Sequence, residues 1–139
     1  MGYWLKMIGS GNAPYPTLYD KPWVDFSRSR WPRQVHPGDH LVLYASGGLK
    51  RVFAIAEVTS EVYEQDEYQL WPYRVDVRYL INLHPSVGVH IDEVSTASRD
   101  LLRSLRRRSY LKLTPEEYKR AATKLERAMK APDDHGTLD

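Results

Sequence analysis

Residues 36–60 read His36-Pro37-Gly38-Asp39-His40-Leu41-Val42-Leu43-Tyr44-Ala45-Ser46-Gly47-Gly48-Leu49-Lys50-Arg51-Val52-Phe53-Ala54-Ile55-Ala56-Glu57-Val58-Thr59-Ser60. This stretch decides the fold. Pro37 pre-sets the first central position of a tight turn, and Gly38 supplies the positive φ that a type II turn requires. Leu41–Ala45 is then a strand, Ser46–Leu49 a hairpin turn, and Arg51–Ser60 a second, longer strand. Strict alternation puts Val52, Ala54, Ala56 and Val58 on one face of that strand, with Phe53 and Ile55 on the other. A strand that is apolar on both faces is buried on both, as in a closed or nearly closed small barrel.

Outward from this hairpin the pattern continues. Tyr3–Ile8 reads as a first strand ended by Gly9-Ser10-Gly11-Asn12. Residues 13–31 read as a long loop holding Tyr15, Tyr19, Trp23, Phe26 and Trp31, and long loops in compact domains are often functional. Residues 61–70 form an acidic excursion. Pro72–Leu83 alternates cleanly, which predicts a strand with one face on the core and one in water. Ile91–Val94 is ambiguous. Ser98 caps a helix reaching about Arg107, and Tyr110–Leu113 is a short strand able to close the sheet. Thr114, Pro115 and Glu117 form a capping box opening a last helix. Its inner stripe is Tyr118, Ala121, Ala122, Leu125 and Met129, and Pro132 ends it. The result is an α+β fold: a small mixed β-barrel flanked by helices, with one domain over residues 1–131 and a flexible acidic tail over 132–139.

Composition narrows the chemistry. The 139 residues carry 20 Lys+Arg against 18 Asp+Glu, a formal net charge of +2. The balance is uneven: residues 1–98 sum to −2, residues 99–130 to +7 and the tail to −3. There are ten Tyr, four Trp and only two Phe, and 14 of these rings lie in residues 3–79. Rings for bases and cations for phosphates together suit nucleic acid. The absence of cysteine removes disulfides, thiolate catalysis and Cys-based zinc sites, and is compatible with a cytoplasmic protein. No apolar run reaches the roughly 20 residues of a membrane span. The usual catalytic and phosphate-binding motifs are missing, and His36 and His40 are split by the Pro-Gly turn, so no metal or other cofactor is expected. Two pairs could serve acid–base chemistry: Asp76 with Glu57 across the sheet, and Lys6 with Glu57. The chain reads as a binder before an enzyme.

Several stretches in order resemble the EVE domain of the PUA-like superfamily, a relative of YTH and ASCH domains. They are Tyr3-Trp4-Leu5, the run Pro37–Ser46, Phe53–Val58, Trp71–Arg78 and Arg108–Thr114. The resemblance implies a PUA-like barrel whose pocket accepts a flipped, modified base of DNA or RNA, gripped between rings and read along its edge. Carried over by position, the base-binding residues are Ser10, Asn12, Trp23, Trp31, Tyr44, Ser46 and Trp71. Arg28, Arg30, Arg33, Lys50 and Arg51 are the phosphate-binding candidates. The chain departs from the family pattern at Val24-Asp25-Phe26, which leaves open whether Trp23, Phe26 or Trp31 lines the pocket. A monomer is expected. The alternatives are an ASCH-type hydrolase of a small amide or modified nucleoside, and a module in which the Arg-rich segment docks an acidic protein. Trp4 is expected in the core.

Overall fold

The computed structural model describes residues 1–8, 19–27, 32–46, 50–65, 72–96, 99–105, 108 and 110–137, the last seven of these by backbone alone. Its strands are β1 (Tyr3–Ile8), β2 (Trp23–Phe26), β3 (His40–Ala45), β4 (Arg51–Val58), β5 (Tyr63–Glu64), β6 (Tyr73–Asn82), β7 (Val89–His90) and β8 (Tyr110–Leu113). Its helices are α1 (Leu101–Leu105) and α2 (Pro115–Thr137), with 3-10 turns at Pro85–Val87 and Ile91–Glu93. The strands form one mixed sheet ordered β2-β6-β4-β3-β1-β8, with β5 added to β6 and β7 to β4. β1 runs parallel to β3, and the other neighbours are antiparallel.

The sheet curls into a half-barrel. Its two ends, β2 and β8, meet through side chains: the Phe26 and Tyr110 rings stand edge to face at 5.1 Å. One apolar cluster fills the concave side, including Trp4, Ile8, Val24, Phe26, Leu43, Phe53 and Val75. A second lies between the convex side and the helices, including Leu5, Val42, Val52, Ile55, Leu101, Leu111 and Leu125. Trp4 is 5% exposed, the core residue expected.

The turn before β3 anchors the sheet. Gly38 has φ +93°, as the type II turn demands. The buried Asp39 carboxylate accepts from the Gly2 and His36 backbone N–H groups at 2.8 and 3.0 Å, and from Trp4 Nε1 at 3.0 Å. Burial alone would push its carboxyl up, but these hydrogen bonds outweigh that and hold it below its ordinary value. The capping box forms as well: Glu117 N–H donates to Thr114 Oγ1 at 3.1 Å, and Thr114 N–H to Glu117 Oε1 at 2.8 Å. Arg99 clamps the same carboxylate with two bonds of 2.8 and 2.9 Å. Burial again acts upward on Glu117, and the Arg99 bonds prevail and lower it. On the convex side Tyr118 of α2 stacks on Tyr3 at 4.0 Å, and its hydroxyl shares a 2.6 Å hydrogen bond with His40 Nδ1.

Several expectations are corrected. Residues 13–31 are not all loop, because Trp23–Phe26 alternates and pairs with β6. Strict alternation fails in β4: a register shift at Phe53 turns its ring to the concave side beside Ala54, so Val52 and Ile55 share the helix side. A second shift makes Leu80 the extra residue in β6, and it is exposed. On the nominally wet face of β6, Arg74 is buried because Asp25 and the Trp23 ring cover it. The helix after residue 98 starts at Leu101 with Asp100 as its cap, whose Oδ1 accepts from Arg103 N–H; Ser98 lies outside the described residues. Met129 is exposed, and Ala128 packs against the helix-side cluster instead. α2 continues past Pro132, which forfeits one helix hydrogen bond without ending the rod. Gly88 passes so close to β4 that a Cβ there would lie 2.2 Å from the Val52 carbonyl oxygen.

Asp39→Ala strands three buried or half-buried donors at about 1–3 kcal/mol each before relaxation. Urea denaturation should show a net loss of roughly 2–5 kcal/mol, with an unchanged m-value. Asp39 and Glu117 have lowered folded values, so their stabilisation is present above the unfolded carboxylate range near about 4 and is lost as pH falls through the folded values. The wild-type Tm should fall between about pH 5 and pH 2, and Asp39→Ala should fall less steeply over the same range.

Candidate functional site

Among the described residues, Lys6 is the buried charged side chain on the concave side. Lys6 points inward from the middle of β1, with its Nζ 5.2 Å from the centre of the Phe26 ring and donating to the Met7 carbonyl at 2.8 Å. Burial pushes its ammonium down to about 7, against the opposing pull of the Asp25 carboxylate. The register sets Lys6 in a row across the curled sheet. Tyr110 pairs with Lys6, Lys6 with Leu43, Leu43 with Ala54, and Ala54 with Asn82. Paired residues share a face. The row is therefore a concave floor of Leu43 and Ala54, with Lys6 and Tyr110 at one wall and Asn82 at the other.

Asn82 Nδ2 donates to the Tyr19 carbonyl at 2.7 Å, and its Oδ1 is buried without a hydrogen-bond partner among the described residues. Tyr19 is itself buried, and its hydroxyl donates to the Trp23 carbonyl at 2.9 Å. Tyr73 pairs with Phe26 in register, so Lys6, Phe26, Tyr73 and Tyr110 are neighbours at the seam of the half-barrel. The arrangement sets a cation and aromatic rings at the seam, with an amide oxygen at the far side of the row.

The candidates from sequence fall in different places. Ser10, Asn12, Trp31, Trp71, Arg28 and Arg30 lie outside the described residues. Ser46 is buried at the end of β3, its N–H donating to the Ile8 carbonyl at 3.3 Å, and so closes the end of β1. Tyr44 is buried in the helix-side cluster, on the face opposite Lys6, where its ring packs the core. Burial, with the Asp92 charge, raises its hydroxyl. Trp23 is half-buried on the outer face of β2, with the Arg74 guanidinium 4.3 Å above its ring. Its Nε1 is buried without a hydrogen-bond partner among the described residues. Trp23 and Ser46 share no hydrogen bond among the described residues. Arg33 lies in the exposed turn before Asp39, whereas Lys50 and Arg51 start β4 at the other end of the β3–β4 hairpin. Lys50 is exposed with φ 53°, and Arg51 Nη1 donates to the Gly88 carbonyl at 2.9 Å.

The acid–base pairs do not assemble. Glu57 bonds to Arg78 across the sheet, and Asp76 accepts from the Tyr63 hydroxyl at 2.7 Å. The carboxylate acting on Lys6 is Asp25, not Glu57. His40 faces Tyr118 while His36 is exposed beside Glu61. Sequence reading missed Asn82 and Tyr110. The signal available was a polar residue closing an alternating strand, which by itself does not separate a site from a strand end.

No helix among the described residues is long and apolar enough to cross a membrane. Curated proteins show no match to the chain. Among solved structures, the chain is similar to the protein Rpa0253 of Rhodopseudomonas palustris, determined by NMR. That match has 19% identity and a TM-score of 0.59, covering 89% of this chain and 92% of that one. It is also similar to the crystal structure of the protein Atu2648 of Agrobacterium tumefaciens, with 20% identity and a TM-score of 0.59 over 89% and 93% of the two chains. At that identity the likeness speaks for the fold. The family model of the EVE domain matches residues 19–124, most of the chain and all of the sheet except β1, and the protein therefore belongs to the EVE domain family of the PUA-like superfamily.

Proposed function

We propose that this protein binds DNA or RNA and takes a flipped, modified base into the concave side of the half-barrel, at the seam where Lys6, Phe26, Tyr73 and Tyr110 meet. The observation that carries the reading is the burial of Lys6. A fully buried ammonium in an apolar concavity is unfavourable for folding, and groups kept at such a cost cluster at functional sites. Aromatic walls beside a fixed cation suit a base taken out of its stack.

In this reading Trp31 and Trp71 grip the base, and Trp23, on the outer face of β2, does not. Ser10, Asn12 and Ser46 line the pocket near the end of β1. Arg28, Arg30 and Arg33, with Lys50 and Arg51, meet phosphates and set the position of the strand without reading sequence. The protein works without catalysis, as a monomer, in the cytoplasm.

The test is a fluorescence titration with single-stranded oligonucleotides that carry one central 5-methylcytosine, N6-methyladenine or the unmodified base. Wild type should prefer a modified strand. Since base–aromatic stacking contributes about 1–3 kcal/mol per ring, Trp71→Ala should bind that strand at least about tenfold more weakly. A mutant that binds every strand like wild type rules out the aromatic grip. Lys6→Met should raise the stability of the free protein at pH 7 by about 1–4 kcal/mol while weakening binding. Because the folded-state value of Lys6 is lowered to about 7, the unfolded chain holds more protons between there and about 10.4, and wild-type stability rises over that range. The advantage of Lys6→Met should therefore shrink as pH is raised toward 10, read by urea denaturation.

A further inference from the structure

We infer that His84 and His90 form a pH-sensitive clip. Neutral, each ring caps a turn that holds residues 84–94 on the start of β4; protonated, each exchanges that cap for a side-chain partner and loosens the segment. The inference does not depend on the base-binding reading and is tested on the free protein.

The same local device occurs twice in this segment. His84 precedes the turn Pro85–Val87, and its Nδ1 accepts the Ser86 backbone N–H at 3.1 Å. His90 precedes the turn Ile91–Glu93, and its Nδ1 accepts the Asp92 backbone N–H at 3.2 Å. A backbone N–H only donates, so each Nδ1 is the bare nitrogen of a neutral imidazole whose proton sits on Nε2. A proton on Nδ1 removes the acceptor and sets donor against donor.

Each ring also has a partner for that proton. Asp92 Oδ2 lies 3.6 Å from His90 Nδ1, and Ser86 Oγ lies 2.7 Å from His84 Nδ1. The carboxylate accepts from an imidazolium, and the hydroxyl donates to the neutral ring or accepts from the charged one. Acid therefore moves both bonds from the backbone to a side chain. The other charged and titratable groups around the segment belong to three neighbouring elements and to the segment itself. Arg51 of β4 is the cross-strand partner of His90 and opposes a charge there, whereas Asp92 favours it. Tyr44 of β3 feels the Asp92 charge. From α2, Lys124 pairs with Glu93 at 3.8 Å and Arg120 donates to the Glu93 carbonyl at 3.1 Å.

The two turns hold the start of β4. Ile91 N–H donates to the Lys50 carbonyl at 3.0 Å, Arg51 Nη1 donates to the Gly88 carbonyl at 2.9 Å, and β7 pairs with Arg51 and Val52. Imidazole takes up its proton between about pH 8 and pH 5. That range lies above the one in which the Asp39 and Glu117 carboxylates are lost, so the clip opens while the sheet stays closed.

The test is amide hydrogen exchange followed by NMR at about pH 7.5 and about pH 5.5, on either side of imidazole titration. Each rate is taken relative to that of an unstructured chain at the same pH. Wild type is compared with His84→Asn/His90→Asn, which keeps an acceptor for the same N–H at both values, and with His84→Ala/His90→Ala, which offers none. A cap is worth about fivefold in an opening equilibrium. Protection of Ser86, Ile91 and Asp92 in wild type should therefore fall about fivefold at the lower pH, with residues 41–45 unchanged. The Asn variant should keep its protection at both values, and the Ala variant should show the low level at both. Wild-type protection that does not fall, that falls equally in the Asn variant, or that falls together with residues 41–45 overturns the clip. If the Ala variant does not fold, the comparison of wild type with the Asn variant decides alone.

Discussion

The carboxylate of Asp39 is the point on which the sheet turns. It collects donors from Gly2, Trp4 and His36, and so joins the start of β1 to the turn that launches β3. The same turn reaches β4 through Gly38 N–H to the Val58 carbonyl and Val58 N–H to the Asp39 carbonyl, both at 2.8 Å. Three strands are thereby held in one register at one end. That register decides which residues share a row, because a slip of one residue moves every side chain to the opposite face. The placement of Lys6 opposite Leu43, and of Ala54 opposite Asn82, follows from it.

The curl then gives the row its shape. A flat sheet would leave β2 and β8 as open edges and Lys6 in water. Twist and two register shifts bring Phe26 against Tyr110 instead, over the Lys6 side chain. The resulting concave interior is apolar except for a few polar groups, Lys6 and Asn82 among them. The convex side has a different task. It is sealed by α1 and α2, with the Arg99–Glu117 clamp and the Tyr3–Tyr118 stack fixing α2 in place.

Local chemistry made much of this fold legible in the sequence. The Gly38 turn, the strands Tyr3–Ile8 and Leu41–Ala45 (begun one residue earlier, at His40) and the Thr114–Glu117 capping box depend on neighbours a few residues apart, and all are present. What escaped depends on distant partners. Trp23–Phe26 is a strand only because β6 lies beside it. The shift at Phe53 answers to the pairing with β3, not to the alternation of β4 itself. Arg74 reads as wet until Asp25, 49 residues away, is seen to cover it. The site depends on distant partners as well. Ser46 meets the end of β1 through a backbone bond to the Ile8 carbonyl, 38 residues away. Tyr44 faces the helices, and Asn82 gains meaning only from a cross-strand row that no linear reading displays.

The position of β1 has a consequence for synthesis on the ribosome. β1 pairs on one side with residues 40–45 and on the other with residues 110–113. The first strand made therefore waits for more than a hundred residues before both of its edges are occupied. Pairings so far apart in sequence form slowly, and a growing chain meanwhile exposes an unpaired, largely apolar edge. This domain completes its sheet after the segment through β8 has cleared the exit tunnel. Slowing translation before β8 would lengthen the time that β1 spends with an open edge, and with it the exposure to aggregation.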